Sequence, residues 1–289
     1  MRYTISNEKL TAEIESFGAE LKSLKKGDRE YMWCADPKFW NRTSPVLFPF
    51  VGALNEGVYR TKGKEYKMGQ HGFARDNEFE LVEQKSDEIT FAFKSNEETL
   101  ARYPYEFELR IAYKLEGSSI KVNWKVVNPG NETMYFAIGA HPAFNITLDE
   151  QGTQNGTYVK FDTNKELEMR KFEDPVALDE KHYMQPDKDG YIALNEHSFD
   201  NGVFIVENDQ AHEVSLAGVD KKPFVTLKFD APLFGVWSPV KKNAPFVCIE
   251  PWYGRADVKG YSGELKDREF EQSVEAGKIF EKEYSITVD

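Results

Sequence analysis

The amino-acid sequence predicts an all-β protein: a large antiparallel β-sandwich with few short helices, in one domain spanning residues 1–289. Three observations lead there. Apolar and polar residues alternate with a period of two in several stretches, which places successive side chains on opposite faces of a strand. Those stretches are bounded by Gly, Asn, Pro and Ser, the residues of turns. Helical spacing is scarce, and no low-complexity linker or fixed-length repeat divides the chain.

Taken in order, Leu10, Ala12 and Ile14 give the first alternating stretch, and Ile89, Phe91 and Phe93 the next. The segment 96–105, NEETLARYPY, has room for two helical turns, with Asn96 as cap and Pro104 as stop. The clearest signal follows. Tyr105, Phe107, Leu109, Ile111, Tyr113 and Leu115 alternate with polar or small residues, GSS at 117–119 reverses the chain, and Ile120, Val122, Trp124 and Val126 resume the pattern. NPGN at 128–131 closes this long hairpin with turn chemistry. The region 149–200 is rich in Asp, Glu, Lys and Gly with weak periodicity, and reads as long loops with short strands. Tyr284, Ile286 and Val288 form a terminal strand expected to dock into a sheet.

A formal charge of −12 repels phosphate backbones and anionic lipid, which argues against nucleic-acid and membrane partners. The opening residues, MRYTISNEKLTAEIES, lack the basic-then-apolar run of an export signal, and no stretch approaches the ~18 apolar residues of a membrane span. Cys34 and Cys248, far apart, read as reduced, buried thiols rather than a disulfide. The expectation is a soluble, cytoplasmic protein, monomeric or homodimeric, whose partner is a small molecule.

Three stretches place ionisable groups among apolar or small residues: GQHGFAR (69–75), AIGAHPAFN (137–145) and FVCIEPWYG (246–254). Taken alone, a histidine near a core is more often a structural imidazole, and a strand-end glutamate more often a salt-bridge partner. The recurrence of one context three times points instead to a shared site of His71, His141 and Glu250. An idle buried charge would cost several kcal/mol by order of magnitude. Two histidines and a carboxylate suit a metal with open positions, or an acid–base pair acting on a polar substrate. Glycoside hydrolysis needs a second matched carboxylate, and Asp230 and Asp257 look like turn and loop residues.

The motifs SPVLFPFVG (44–52), HGFAR (71–75), GAHPAFN (139–145), FGVWSP (234–239) and CIEPWYG (248–254) resemble, in order and spacing, those of the aldose 1-epimerase, or galactose mutarotase-like, family. The spellings HGFAR and HPAFN are closer to its LacX-like and hexose-6-phosphate mutarotase-like branch. The resemblance covers nearly the whole chain. It implies a β-supersandwich, a sugar cleft on one sheet face, and neither metal nor organic cofactor. By motif, Glu250 would be the base at the anomeric hydroxyl, His141 the acid at the ring oxygen, and His71 a supporting imidazole. A histidine near pKa 6.5 suits the acid step, and a Glu near 4.3 the base step.

Arg42, in WNRTSP, falls where the family often has a ligand-contacting arginine, and Arg75 either faces the ligand or pairs with a carboxylate beneath the site. Trp237 and Trp252 suit stacking on sugar C–H faces. Arg42, Arg75, Lys241 and Lys242 are the candidates for a 6-phosphate cradle. The expected activity is interconversion of the α and β anomers of a hexose or its phosphate; the alternatives are a carbohydrate-binding protein without turnover and a metal-dependent enzyme.

Overall fold

A computed structural model describes residues 1–289. Two large antiparallel sheets, of nine and eight strands, form a sandwich. The nine-stranded sheet runs in the order Tyr191–Ala193, Tyr158–Phe161, Glu213–Ala217, Pro223–Phe229, Ile279–Val288, Ser119–Val127, Glu108–Glu116, Glu88–Lys94 and Glu80–Gln84. The eight-stranded sheet runs Val176–Met184, Leu167–Glu173, Phe204–Val206, Leu233–Trp237, Phe246–Tyr253, Ile138–Ala140 and Val46–Leu47, with Ala143–Asn145 also paired to Phe246–Tyr253. A four-stranded sheet occupies the first 30 residues. One cluster of 63 buried apolar side chains draws on both large sheets. Across it, the Trp124 ring lies 5.1 Å from Tyr284 in its own sheet and 6.4 Å from Tyr253 in the other.

The long hairpin pairs Leu109 with Val126, Ile111 with Trp124, Tyr113 with Val122 and Leu115 with Ile120, with that face buried. Its ladder begins at Glu108. Tyr105 and Phe107 are buried, but they belong to the stretch that leaves Pro104 and crosses to Ser95. The α-helix Glu97–Arg102 opens on an Asn96–Thr99 capping box. It ends one residue before Tyr103, which the following proline holds extended. The terminal strand Ile279–Val288 lies between Ser119–Val127 and Pro223–Phe229, inside the sheet rather than at its edge. No helix is long and apolar enough to cross a membrane.

Two expectations need correction. Cys248 is buried, but Cys34 is exposed: Trp33 turns inward, its indole N–H donating to the Trp40 carbonyl, and the next side chain faces out. The region 149–200 also holds more than short strands. Leu167–Glu173 and Val176–Met184 make a hairpin at the edge of the eight-stranded sheet, turning at Asp174–Pro175. Its outer strand, VALDEKHYM, is largely solvent-facing, and a register shift between Arg170 and Phe172 breaks the alternation, so no period survives in the sequence. Beneath it, Glu207 accepts from Arg170 Nη2 at 3.0 Å and Arg255 Nε at 2.5 Å, all three residues being buried. Arg170 Nη1 also reaches the Leu178 and Asp179 carbonyls, which ties the outer strand down.

Candidate active site

The strand Phe246–Tyr253 is buried along its whole length, and its two faces divide by parity. Val247, Ile249 and Tyr253 join the core between the sheets. Cys248 and Glu250 face the other way, as does Trp252. On that side lies a cleft of about 650 Å³, lined by Glu250 and Trp252 together with His71, His141, Arg75 and Trp237.

Trp252 forms part of the cleft wall because its neighbours lack side chains. A Cβ on Gly139 would lie 2.6 Å from its ring, and one on Gly235 2.5 Å. Those two glycines sit on the strands either side of it, so the indole spreads across the sheet.

His141 owes its position to Pro142. The strands Ile138–Ala140 and Ala143–Asn145 pair with different parts of Phe246–Tyr253, and His141–Pro142 is the break between them. The break lies level with Glu250, and His141 Nε2 comes 3.2 Å from Glu250 Oε2. Trp40 stacks on the imidazole at 4.7 Å, and Trp237 meets it edge-on at 5.3 Å.

His71 adopts a left-handed backbone, φ 65°, and Gly72 follows at 69°. A Cβ on Gly72 would lie 2.3 Å from the Phe48 carbonyl oxygen, so this position takes glycine. The Gly52 N–H donates to His71 Nδ1 at 3.0 Å, which leaves the imidazole proton on Nε2 as a donor. The ring stands 5.7 Å from that of His141.

Burial governs the charges here. It pushes His141 down to about 3, helped by Arg75 and Arg42, and holds His71 well below 6.5, so both imidazoles are neutral. The same burial raises the Glu250 carboxyl well above its ordinary value; the nearby Trp252 indole N–H opposes the rise without reaching hydrogen-bond geometry. Burial thus works against both charged forms that the sequence expectation pairs, the ionised glutamate and the protonated histidine.

The binding candidates separate. Arg75 lines the cleft, donates to the Gln70 carbonyl at 2.7 Å and lies 3.6 Å from Asp76; burial and Arg42 lower it to about 10. Arg42 does not line the cleft; it pairs with Asp76 at 2.7 Å. Lys241 and Lys242 are exposed outside it, Lys242 donating to the Phe39 carbonyl. The four-cation cradle does not assemble, because only Arg75 comes from the loop that carries His71. Trp237 is half-buried beside His141, while Trp252 is buried at the sheet face. Asp230 and Asp257 lie elsewhere, on Lys282 and Arg268.

Sequence reasoning missed Trp40, Gln70, Asp174, Asp200 and Asn201, all of which line the cleft. Gln70 and Trp40 lie inside two of the motifs, GQHGFAR and WNRTSP, whose histidine and arginines drew the functional reading instead. The Asp174–Pro175 turn and the FDNG stretch at 199–202 were hidden in the aperiodic region. The donor atoms able to meet on one cation, all within 4.8 Å, belong to His141, Cys248 and Glu250. His71 is not among them, so the two-histidine, one-carboxylate grouping does not form; its Nδ1 is committed to Gly52.

The chain also resembles known proteins along its whole length. Residues 1–272 match the family model described as aldose 1-epimerase. The plasmid-encoded protein LacX of Lactococcus lactis subsp. lactis is 32% identical over 300 aligned positions, covering 100% of this chain and 99% of LacX. The crystal structure of a galactose mutarotase related enzyme from Lactobacillus acidophilus superposes with a TM-score of 0.93 at 37% identity, covering 100% of this chain and 97% of that one. A galactose mutarotase-like protein from Lactobacillus casei gives 0.93 at 31% identity, with both chains fully covered. With the family model spanning nearly the whole chain and these relatives matching end to end, the protein belongs to the aldose 1-epimerase family.

Proposed function

We propose that the chain, acting as one unit over residues 1–289, is a mutarotase that interconverts the α and β anomers of a hexose or hexose 6-phosphate. The observation that carries this reading is the 3.2 Å contact between His141 Nε2 and Glu250 Oε2 in the wall of a cleft of hexose-accommodating size. Ring opening needs one proton removed from the anomeric hydroxyl and one delivered to the ring oxygen. A pair holding a single proton between two sites suffices.

In the resting cleft that proton sits on Glu250, where burial favours it. Sugar hydroxyls brought against both groups favour its passage across the short contact to His141. Glu250 then takes the O1 proton, His141 gives its own to the ring oxygen, and the ring opens to the aldehyde. The pair is left in its resting distribution. Rotation about C1–C2 and reclosure, with His141 as base and Glu250 as acid, give the other anomer. The Nε2–H of His71 is a donor for the sugar oxygens, Trp237 and Trp252 offer apolar surface to the C–H faces, and Asp174, Asp200 and Asn201 can accept from hydroxyls. Arg75 is the one candidate cation in the cleft and is already engaged, while Asp174 and Asp200 line the cleft beside Glu250, so the charge balance favours the unphosphorylated sugar.

Anomer exchange followed by NMR or polarimetry on glucose, galactose and their 6-phosphates tests this. Glu250→Gln and His141→Asn are each expected to slow exchange by at least ~10²-fold with the fold intact. Wild-type rates in both variants would falsify the mechanism; sugar binding with no exchange in the unmutated protein would leave a carbohydrate-binding protein.

A further inference from the structure

We propose that the cleft wall also chelates a soft divalent cation, Zn²⁺ or Cd²⁺, through His141 Nε2, the Cys248 thiolate and the Glu250 carboxylate, and that this reversibly blocks the sugar chemistry.

The three donor atoms lie within 4.8 Å of one another, and all three residues are buried. Cys248 and Glu250 are two apart on one strand, so they share a face; His141 closes the triangle from the Pro142 break. Glu250 Oε2 is buried and, beyond the 3.2 Å approach of His141 Nε2, which falls short of hydrogen-bond geometry, has no partner. An uncommitted carboxylate oxygen in a dry wall is a costly group that a cation would satisfy. Tetrahedral zinc with bonds of about 2.0–2.3 Å sets its ligands roughly 3.3–3.8 Å apart, so the longest side of the triangle closes with about 1 Å of side-chain adjustment. His141 and Glu250 line the cleft, while Cys248 stands behind them, fully buried beside Trp33, Ala143 and Phe246.

The donor set fixes the cation class. Thiolate and imidazole select zinc-like metals, whereas Mg²⁺ and Ca²⁺ call for oxygen ligands. Binding is an acid–base step without redox change: the thiol proton, and any proton on Glu250, pass to solvent as sulfur and oxygen lone pairs go to the metal. Chelation withdraws both proton-carrying groups at once. The blocking of turnover rests on the mutarotase reading; the binding does not.

The test uses the full chain with Cys34→Ala, which leaves Cys248 as the one thiol. Cd²⁺ is expected to produce the ultraviolet thiolate-to-metal charge-transfer band with 1:1 stoichiometry, Zn²⁺ to displace it, and Mg²⁺ to leave it unchanged. In the Cys34→Ala/Cys248→Ala protein the band is lost. The Zn²⁺ concentration that halves the rate, measured against the metal-free rate of the same variant, rises at least about 100-fold. Cys248→Ser, closer in size, replaces Cys248→Ala should the latter misfold. Absence of the band in the Cys34→Ala protein, or Zn²⁺ inhibition undiminished without Cys248, overturns the proposal. Because the band reports the metal–sulfur bond itself, it decides the site on a protein that turns over none of the sugars tested.

Discussion

At the scale of single residues, the site depends on side chains that are missing as much as on those present. Gly139 and Gly235 leave the space that the Trp252 indole fills. Gly235→Ala is expected to cost about 1–3 kcal/mol in urea denaturation, the range for overpacking. In a double-mutant cycle, Trp252→Leu should recover most of that loss; additive effects would show that the methyl group and the indole do not compete. The proton inventory of the His141–Glu250 pair gives a second expectation. The pair stops working when it gains a second proton, as pH falls through the lowered value of His141, about 3. Anomer exchange, corrected for the buffer rate, should therefore stay level from pH 7 to about 5. An acid limb near the ordinary histidine value of ~6.5 would mean that the imidazole titrates freely. The sequence exposed His71, His141 and Glu250 because each interrupts an apolar or glycine-rich stretch. It gave no sign of Trp40, whose role is a stacking contact made only on folding, nor that Arg42 is engaged by Asp76 outside the cleft.

At the scale of elements, the edge hairpin Leu167–Glu173/Val176–Met184 brings Phe172, Asp174 and Pro175 to the cleft. Glu207 holds it from below, between Arg170 and Arg255. Removing that anion leaves the two buried arginines with the half-exposed Glu269, which pairs with both, as their shared counter-charge, so the loss falls at the lower end of the range for a buried pair. Glu207→Gln is expected to destabilise the fold by about 3 kcal/mol, where breaking a buried ion pair from one side usually costs about 3–5 kcal/mol. It should also raise KM more than it lowers kcat, because the hairpin tip loosens while the proton-transfer pair stays in place. Steady-state kinetics beside denaturant titration separate the two effects; an unchanged KM would mean that the tip is held by other contacts. This hairpin was illegible for a physical reason: one strand faces solvent and the register shifts midway, so neither alternation nor an apolar run survives. The 108–127 hairpin was legible because one face is dry, the other wet, and no bulge intervenes.

At the scale of the molecule, the strand Ile279–Val288 closes the nine-stranded sheet from within. Deleting Ile279 onward would strip pairing from Ser119–Val127 and Pro223–Phe229 at once and expose Trp124 and Leu227. The truncated chain is expected to lose native structure by circular dichroism and amide dispersion; a folded truncation would show that the flanking strands can pair directly. Alternation at Tyr284, Ile286 and Val288 announced a docked strand, but its central place depends on pairings far apart in sequence. The Phe246–Tyr253 strand was the reverse case, since both of its faces are dry and its alternation appears only once the cleft is seen. That double burial has a consequence for how such a protein changes over generations. One parity packs the core between the sheets, and the other, beyond the buried Phe246 and Cys248, presents Glu250 and Trp252 to the cleft. On the proposed mechanism, substitutions at Trp252, which lines the cleft, would retune the reaction while Val247, Ile249 and Tyr253 keep the sandwich. A slip of one position would be ruinous, sending Glu250 into the aromatic core and Ile249 into the sugar's place. Selection can thus act on specificity and on foldedness as nearly separate traits, provided no insertion or deletion falls within these eight residues.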